Sequence, residues 1–172
     1  MKKKRAVLAG EFDPITDFDY SIIQRCSQVF DEVVLLLVNN DQHAFFLPGE
    51  RLMFLNEIST YFPNVKVDRC VGMAGSYCQE HEIPVIVRGL QNIGEMEKEA
   101  QLALASKRLF PDLETFFLMA DPHHMYCTSS VIKELAMLGS EYEKYLPDPL
   151  AENIRECFDE HLVIDRALEE VL

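Results

Sequence analysis

Short apolar runs recur along the chain, separated by longer segments in which apolar residues return every three or four positions. The clearest run, Glu32–Val38 (EVVLLLV), has no polar residue after its first position. Such a run is typical of a strand that is covered on both faces of a parallel sheet. The pattern predicts five strands: Arg5–Ala9, Glu32–Val38, Val65–Val67, Pro84–Val87 and Glu114–Met119.

The segments between the runs have helical periodicity. Between about residues 19 and 30, the apolar residues from Ile22 to Phe30 fall on one helical face. Pro48 suits the first turn of a second helix. Further helices are predicted over Met73–His81, Glu95–Leu109, from the Thr128–Ser130 cap cluster to Leu138, and from about Pro149 to Phe158. Residues 159–172 are predicted to form a C-terminal helical extension of one domain that spans residues 1–172.

The alternation of strands and helices predicts an α/β fold with a doubly wound parallel sheet of about five strands. Ligands of such sheets bind beyond the carboxyl ends of the strands. Three loops are expected to converge there: Gly10–Thr16, Arg88–Gly94 and Asp121–Ser130. We therefore expect the functional site between these loops.

Charge and composition narrow the classes of partner. The net charge of −13 argues against DNA or RNA, because phosphate backbones are held by lysine and arginine. No apolar run approaches the roughly 20 residues that cross a bilayer. The five cysteines are scattered and form no Cys-x-x-Cys pair, so we expect reduced thiols and a cytoplasmic protein.

The first loop carries the most informative local motif. There is no G-x-G-x-x-G fingerprint and no Walker lysine. Instead, Gly10 ends a strand and is followed by Glu-Phe-Asp-Pro-Ile-Thr before a helix. Backbone N–H groups and a helix N-terminus at this point suit a phosphate group. Turn chemistry alone also explains the motif.

Three segments together resemble phosphopantetheine adenylyltransferase, a nucleotidyltransferase with a T/H-x-G-H signature. They are GEFDPITDFDYSII (residues 10–23), VIVRGLQNIGEMEKEAQLALASKRLFPDLETFFLM (85–119) and CTSSVIKELAMLG (127–139). The similarity runs from about Arg5 to Phe158. It implies a Rossmann-like nucleotidyltransferase fold, a homo-oligomer (a hexamer in the family) and the reaction of Mg²⁺-ATP with 4′-phosphopantetheine to give dephospho-coenzyme A and pyrophosphate.

The sequence departs from the family at five positions. The signature histidine is replaced by Asp19 and the glycine before it by Phe18. Glu11 stands at the serine or threonine that touches both substrates, Gln42 at or beside the pantetheine-phosphate lysine, and Gln91 at an arginine. Each change removes positive charge, adds negative charge or adds bulk.

Other family positions are kept. Asp13, Pro14 and Thr16 retain the frame of the first loop. The resemblance implies nucleotide binding by Glu11, Phe12, Gly89, Gln91, Glu99, Thr128, Ser129 and Ser130, and acceptor binding by Glu11, Gln42, Ala74 and Arg88. The role of Asp19, at the catalytic position, is left open.

Two interpretations follow. In the first, the chain has lost or nearly lost adenylyl transfer and retains binding of a nucleotide, a pantetheine-like molecule or a protein partner. In the second, it remains an adenylyltransferase, or has changed its acceptor, with Mg²⁺ and His43 compensating. A rebuilt metal site is a less favoured reading of the carboxylates of Glu11, Asp13 and Asp19 with His123, His124 and Cys127.

Overall fold

The sheet has the predicted doubly wound, parallel architecture. The computed structural model describes residues 3–39, 44–124 and 128–169, with side chains described as far as residue 163. Its strands are β1 (Arg5–Gly10), β2 (Glu32–Val38), β3 (Val65–Cys70), β4 (Val85–Leu90) and β5 (Glu114–Met119). All pairs are parallel, in the order β3-β2-β1-β4-β5. The predicted fold class is confirmed.

Within the described residues, six α-helices accompany the strands: α1 (Asp17–Val29), α2 (Pro48–Ser59), α3 (Ala74–Glu80), α4 (Ile93–Leu109), α5 (Ser129–Met137) and α6 (Ala151–Glu169). A predicted helix end at Phe158 is wrong, because α6 continues to Glu169 without a break. Neither Gly nor Pro follows Phe158 to interrupt it. Among the described helices, none is long and apolar enough to cross a membrane.

Both faces of the sheet are covered, which explains the unbroken apolar runs. In β1, Ala6 and Leu8 join a core with the buried residues of α1, α2, α5 and α6, while Val7 and Ala9 point to the opposite core beside α3. Neighbouring residues of one strand therefore enter different cores.

Four boundaries differ from prediction for identifiable reasons. β4 continues past Val87 to Leu90, since its register with β5 extends to the pair Leu90–Met119, and α4 begins at Ile93 rather than Glu95, because Asn92 caps it. α1 begins at Asp17 rather than near Asp19, because Thr16 caps it. β3 extends beyond Val67 to Cys70, since the register with β2 continues to the pair Val38–Cys70. Because β3 pairs with β2, the polar residues Asp68 and Arg69 also become part of the sheet.

Candidate active site

A cleft of about 610 Å³ opens at the carboxyl ends of β1 and β4. The first loop supplies Gly10–Asp13, β4 supplies Arg88 and Gly89, and α5 supplies Ser129 and Ser130. The start of α3 and one side of α4 complete the walls. Residues from all three loops that the topology was expected to bring together therefore line one cavity.

Asp13 fixes the first loop to two other segments. Its carboxylate accepts the backbone N–H groups of Phe45 and Phe46 at 2.9 and 2.8 Å. It also forms an ion pair with Lys133 of α5, at 2.6 Å between Oδ2 and Nζ. Asp13 is buried, so these three donors satisfy a carboxylate that has little access to water. Its role is to hold the frame of the cleft.

Asp19 lies in the first turn of α1, and its side chain folds back onto Thr16. Its Oδ2 accepts the backbone N–H and the hydroxyl of Thr16, each at 2.8 Å, while the Asp19 N–H donates to that hydroxyl at 3.2 Å. This reciprocal pattern is a capping box. Burial raises the pKa of Asp19 to about 6, against the lowering effect of the Thr16 hydrogen bonds. A carboxylate thus sits at a helix N-terminus, a place that favours anions.

Phe18 packs directly on Gly89 at the end of β4. A Cβ atom added to Gly89 would lie 2.5 Å from Cζ of Phe18 and 3.1 Å from Cγ1 of Ile22. Both Phe18 and Gly89 line the cleft. The aromatic ring therefore covers backbone that would otherwise face a ligand, and Gly89 is needed for that close approach.

Arg88 is held by two partners. Its Nε and Nη2 donate to the two carboxylate oxygens of Glu99 at 2.7 and 2.9 Å, and its Nη1 donates to the carbonyl of Ala9 at 3.0 Å. Bidentate pairing of this kind is among the stronger side-chain interactions. The positive charge of Arg88 is therefore balanced inside the cleft.

The hydroxyls at the start of α5 also have internal partners. Thr128 caps the helix by accepting the N–H of Val131 at 3.2 Å. Ser129 donates to the carbonyl of Pro14 at 2.8 Å and so ties α5 to the first loop. Ser130 is exposed and lines the cleft.

Comparison with known proteins identifies the family. The profile of the cytidylyltransferase-like proteins matches residues 7–135. The phosphopantetheine adenylyltransferase of Shouchella clausii (strain KSM-K16) is 35% identical over 156 residues, which are 90% of this chain and 98% of that protein. The one of Clostridium tetani (strain Massachusetts / E88) is 41% identical over 150 residues, 87% of this chain and 94% of that protein. The chain belongs to the phosphopantetheine adenylyltransferase family.

The remaining family positions are distributed unevenly around the cleft. Ala74 lines it, and Glu11 lines it with an exposed side chain. Phe12 also lines the cleft but is buried, with its ring packed against Gly10. Gln91 is buried outside the lining residues, and its N–H donates to Glu95 at 2.9 Å. Gln42, at the family lysine, lies outside the described residues, as does His43.

Two cationic residues near the family site were not anticipated from the sequence. Lys133 lines the cleft, four residues after Ser129 and therefore on the same face of α5. Arg51 is 1% exposed and lies behind the first loop, where its Nη1 donates to the carbonyl of Glu11 at 3.0 Å. The helical spacing from Ser129 could have revealed Lys133, whereas Arg51 is placed by a contact 40 residues away in sequence.

Those residues of the considered metal site that the structure describes do not converge. Asp13 is engaged by Lys133 and by backbone, and Nε2 of His124 is paired with Asp17 at 2.9 Å. Among the described residues, no three His, Cys, Asp or Glu side chains form a group that could hold a metal ion. Cys127 lies outside the described part of the chain.

The raised pKa of Asp19 predicts a stabilising substitution. Asp19→Asn is expected to raise the free energy of unfolding by about 2 kcal/mol at pH 8 and by roughly half of that at pH 5. The folded-state pKa of about 6 lies above the ordinary 3.8, so the wild type loses stability as pH rises through that window. An amide keeps the hydrogen bonds with Thr16 but cannot ionise.

Urea unfolding at both pH values measures this effect. Asp112→Asn, which neutralises an exposed carboxylate, is the matched control and should change little. A gain from Asp19→Asn that is equal at pH 5 and pH 8, or a loss at pH 8, would contradict a raised pKa of Asp19.

Proposed function

We propose that this member of the family has lost, or strongly reduced, the transfer of an adenylyl group from ATP to 4′-phosphopantetheine, and that its cleft retains ligand binding. The observation that carries the proposal is the pair of side chains at the signature positions. Asp19 brings a carboxylate to the N-terminus of α1, and Phe18 covers Gly89. The Asp19 carboxylate would repel the negative charge of a phosphate, and the Phe18 ring would fill space beside it.

Electrostatics support a large loss of rate. Adenylyl transfer places negative charge on phosphate oxygens, so catalysis depends on donors arranged around them. Loss of one such donor costs about 10²–10³ in rate. A carboxylate about 4 Å from a phosphate charge costs roughly 4 kcal/mol at an effective dielectric near 20. Asp19 replaces a donor by such a carboxylate, so both effects act together.

The cations of the cleft offer little compensation. Among the described lining residues, Arg88 and Lys133 are the cationic side chains. Each is already within 3 Å of a carboxylate oxygen, of Glu99 or of Asp13. A phosphate would have to compete with these carboxylates for both side chains. This supports weak binding of polyphosphates.

The second candidate, an active adenylyltransferase or one with a changed acceptor, requires Mg²⁺ with the nucleotide. The described donors do not fit a magnesium ion held by the protein, since Oδ2 of Asp19 is engaged by Thr16 and no three ligands converge. Glu11, exposed at the cleft, remains a single carboxylate. Magnesium is therefore proposed only as part of the nucleotide substrate.

Genetic complementation tests the proposal. A bacterium whose own phosphopantetheine adenylyltransferase is switched off needs the activity for coenzyme A and hence for growth. Expression of this chain is expected not to restore growth, with an intact family member as the positive control and immunoblotting to verify soluble protein. Growth at the rate of the positive control would establish the second candidate.

We also propose that the chain forms a homo-oligomer, as members of the family do, in the cytoplasm. The support lies in α4, which is described in full and buries none of its side chains. Leu104 is 74% and Leu109 59% exposed, and Phe116 of the edge strand β5 is 50% exposed. Exposed leucines on a helix linked to the open sheet edge β5 are typical of a protein–protein contact, and Phe116 adds apolar surface on the opposite face of that edge. The hexameric number rests on the resemblance alone.

Sedimentation analysis of a matched pair tests this assembly. Leu104→Glu is expected to lower the mass in solution, because it places a charge in the proposed contact. Val163→Glu changes a similarly exposed residue on α6 and should leave the mass unchanged. A monomeric wild type, or equal masses for both variants, would contradict the proposed interface.

A further inference from the structure

The described lining of the cleft carries more acidic than basic side chains. Four carboxylates and two cationic side chains occur among its described lining residues. Arg88 is balanced by Glu99 and Lys133 by Asp13, at 2.7 and 2.6 Å. Glu11 and Asp19 are left without a cationic partner among the described lining residues. Glu11 belongs to the first loop, and Asp19 is hydrogen-bonded to Thr16 at the end of that loop.

Two helix N-termini beside the cleft already carry capping groups from within the chain. Asp19 lies at the N-terminus of α1, and Thr128 caps α5. The hydroxyl of Ser129 is turned to the carbonyl of Pro14. An incoming phosphate would therefore have to displace internal hydrogen bonds as well as approach two carboxylates.

The other wall of the cleft is neutral. Met73, Ala74 and Gly75 at the start of α3, and Leu102 and Ala103 of α4, also line the cavity. Leu102 is 51% and Met73 45% exposed, so apolar surface is available to a ligand. This wall suits an extended, uncharged chain, whose burial is favoured by the hydrophobic effect.

We propose that the cleft selects a phosphate-free ligand of the family's acceptor class, with a hydroxyl or amine group facing Glu11 and Asp19 and a neutral arm along the Met73–Leu102 wall. This selectivity rests on the proposed function, since it concerns the ligand that the same cleft retains. Carboxylates accept hydrogen bonds from an alcohol or a protonated amine, whereas they repel a phosphate dianion. The two carboxylates therefore contribute to selectivity by disfavouring the phosphorylated ligand as well as by binding the phosphate-free one.

Calorimetric titration at pH 8 with pantetheine and with 4′-phosphopantetheine tests this selectivity. Wild-type protein is expected to bind pantetheine at least about tenfold more tightly than its phosphate ester. In Glu11→Gln/Asp19→Asn the two affinities should become similar, because the charges that repel the phosphate are removed. Glu156→Gln/Asp159→Asn removes the same charge from exposed positions of α6 and should keep the wild-type ratio.

Each outcome has a definite meaning. Equal or tighter binding of the phosphate ester by the wild type would overturn the inference, and so would absence of binding of both ligands to folded protein. A ratio that persists in Glu11→Gln/Asp19→Asn would assign the selectivity to other residues and overturn it too. Tight 4′-phosphopantetheine binding without turnover would leave the proposed loss of activity standing, whereas turnover would remove that proposal independently of the affinities.

Discussion

Pyrophosphate release should rise at least about 100-fold when five family residues are restored together: Asp19→His, Phe18→Gly, Glu11→Ser, Gln42→Lys and Gln91→Arg. The histidine returns a donor to the reacting phosphate and removes the carboxylate from the N-terminus of α1. The glycine uncovers Gly89, against which the Phe18 ring now lies. Each recovered donor contributes about 10²–10³ in rate, so the combined gain is the largest effect expected for this chain.

A matched five-residue variant isolates the part played by the histidine. This variant carries Asp19→Asn instead of Asp19→His beside the other four substitutions. It has lost the carboxylate but lacks the histidine donor, so it should recover only a minor part of the gain. Activity is measured as pyrophosphate released from ATP and 4′-phosphopantetheine, and circular dichroism verifies folding. No gain from the full set in folded protein would mean that the backbone of the cleft has also diverged.

Asp13→Ala is expected to lower the free energy of unfolding by about 3–5 kcal/mol. The substitution leaves the N–H groups of Phe45 and Phe46 without their acceptor and the ammonium of Lys133 without its counter-ion. Orphaned buried N–H groups each cost about 1–3 kcal/mol. The first loop, the segment before α2 and α5 are all joined at this carboxylate, so the loss extends beyond one contact.

The double variant Asp13→Ala/Lys133→Met serves as the control for the charge. It removes the unpaired ammonium, so it should recover part of the lost stability while the two backbone donors stay unpaired. Urea unfolding at pH 7.5 gives both values. A loss below about 1 kcal/mol for Asp13→Ala would show that water satisfies these groups as well as the carboxylate does.

Much of the fold could be predicted because local pattern and tertiary environment agree. Glu32–Val38 and Glu114–Met119 have the boundaries that their apolar runs predict. The polar end of β3 at Asp68–Cys70 could not be predicted, because its strand pairing with β2 is a long-range contact. The start of α1 could have been found, since Thr16 and Asp19 have the spacing of a capping box.

The site could be predicted in position but only partly in chemistry. The resemblance pointed to Arg88, Gly89 and Asp19, and the structure places all three around one cleft. The roles assigned to individual residues remain predictions. Sequence alone could not show that Arg88 is engaged by Glu99 and Ala9, since the second partner lies 79 residues away. Such pairing changes how much charge the cleft can offer a ligand.

The most direct test of lost adenylyl transfer is the rate of pyrophosphate release by the purified wild-type chain with ATP, Mg²⁺ and 4′-phosphopantetheine, beside an intact family member under the same conditions. A rate at least about 100-fold below that of the intact enzyme is predicted, because the resemblance puts Asp19 at the position of the family's catalytic donor. A rate within about tenfold of the intact enzyme would contradict the loss, and would mean that the cleft performs the family reaction with a carboxylate at its signature position.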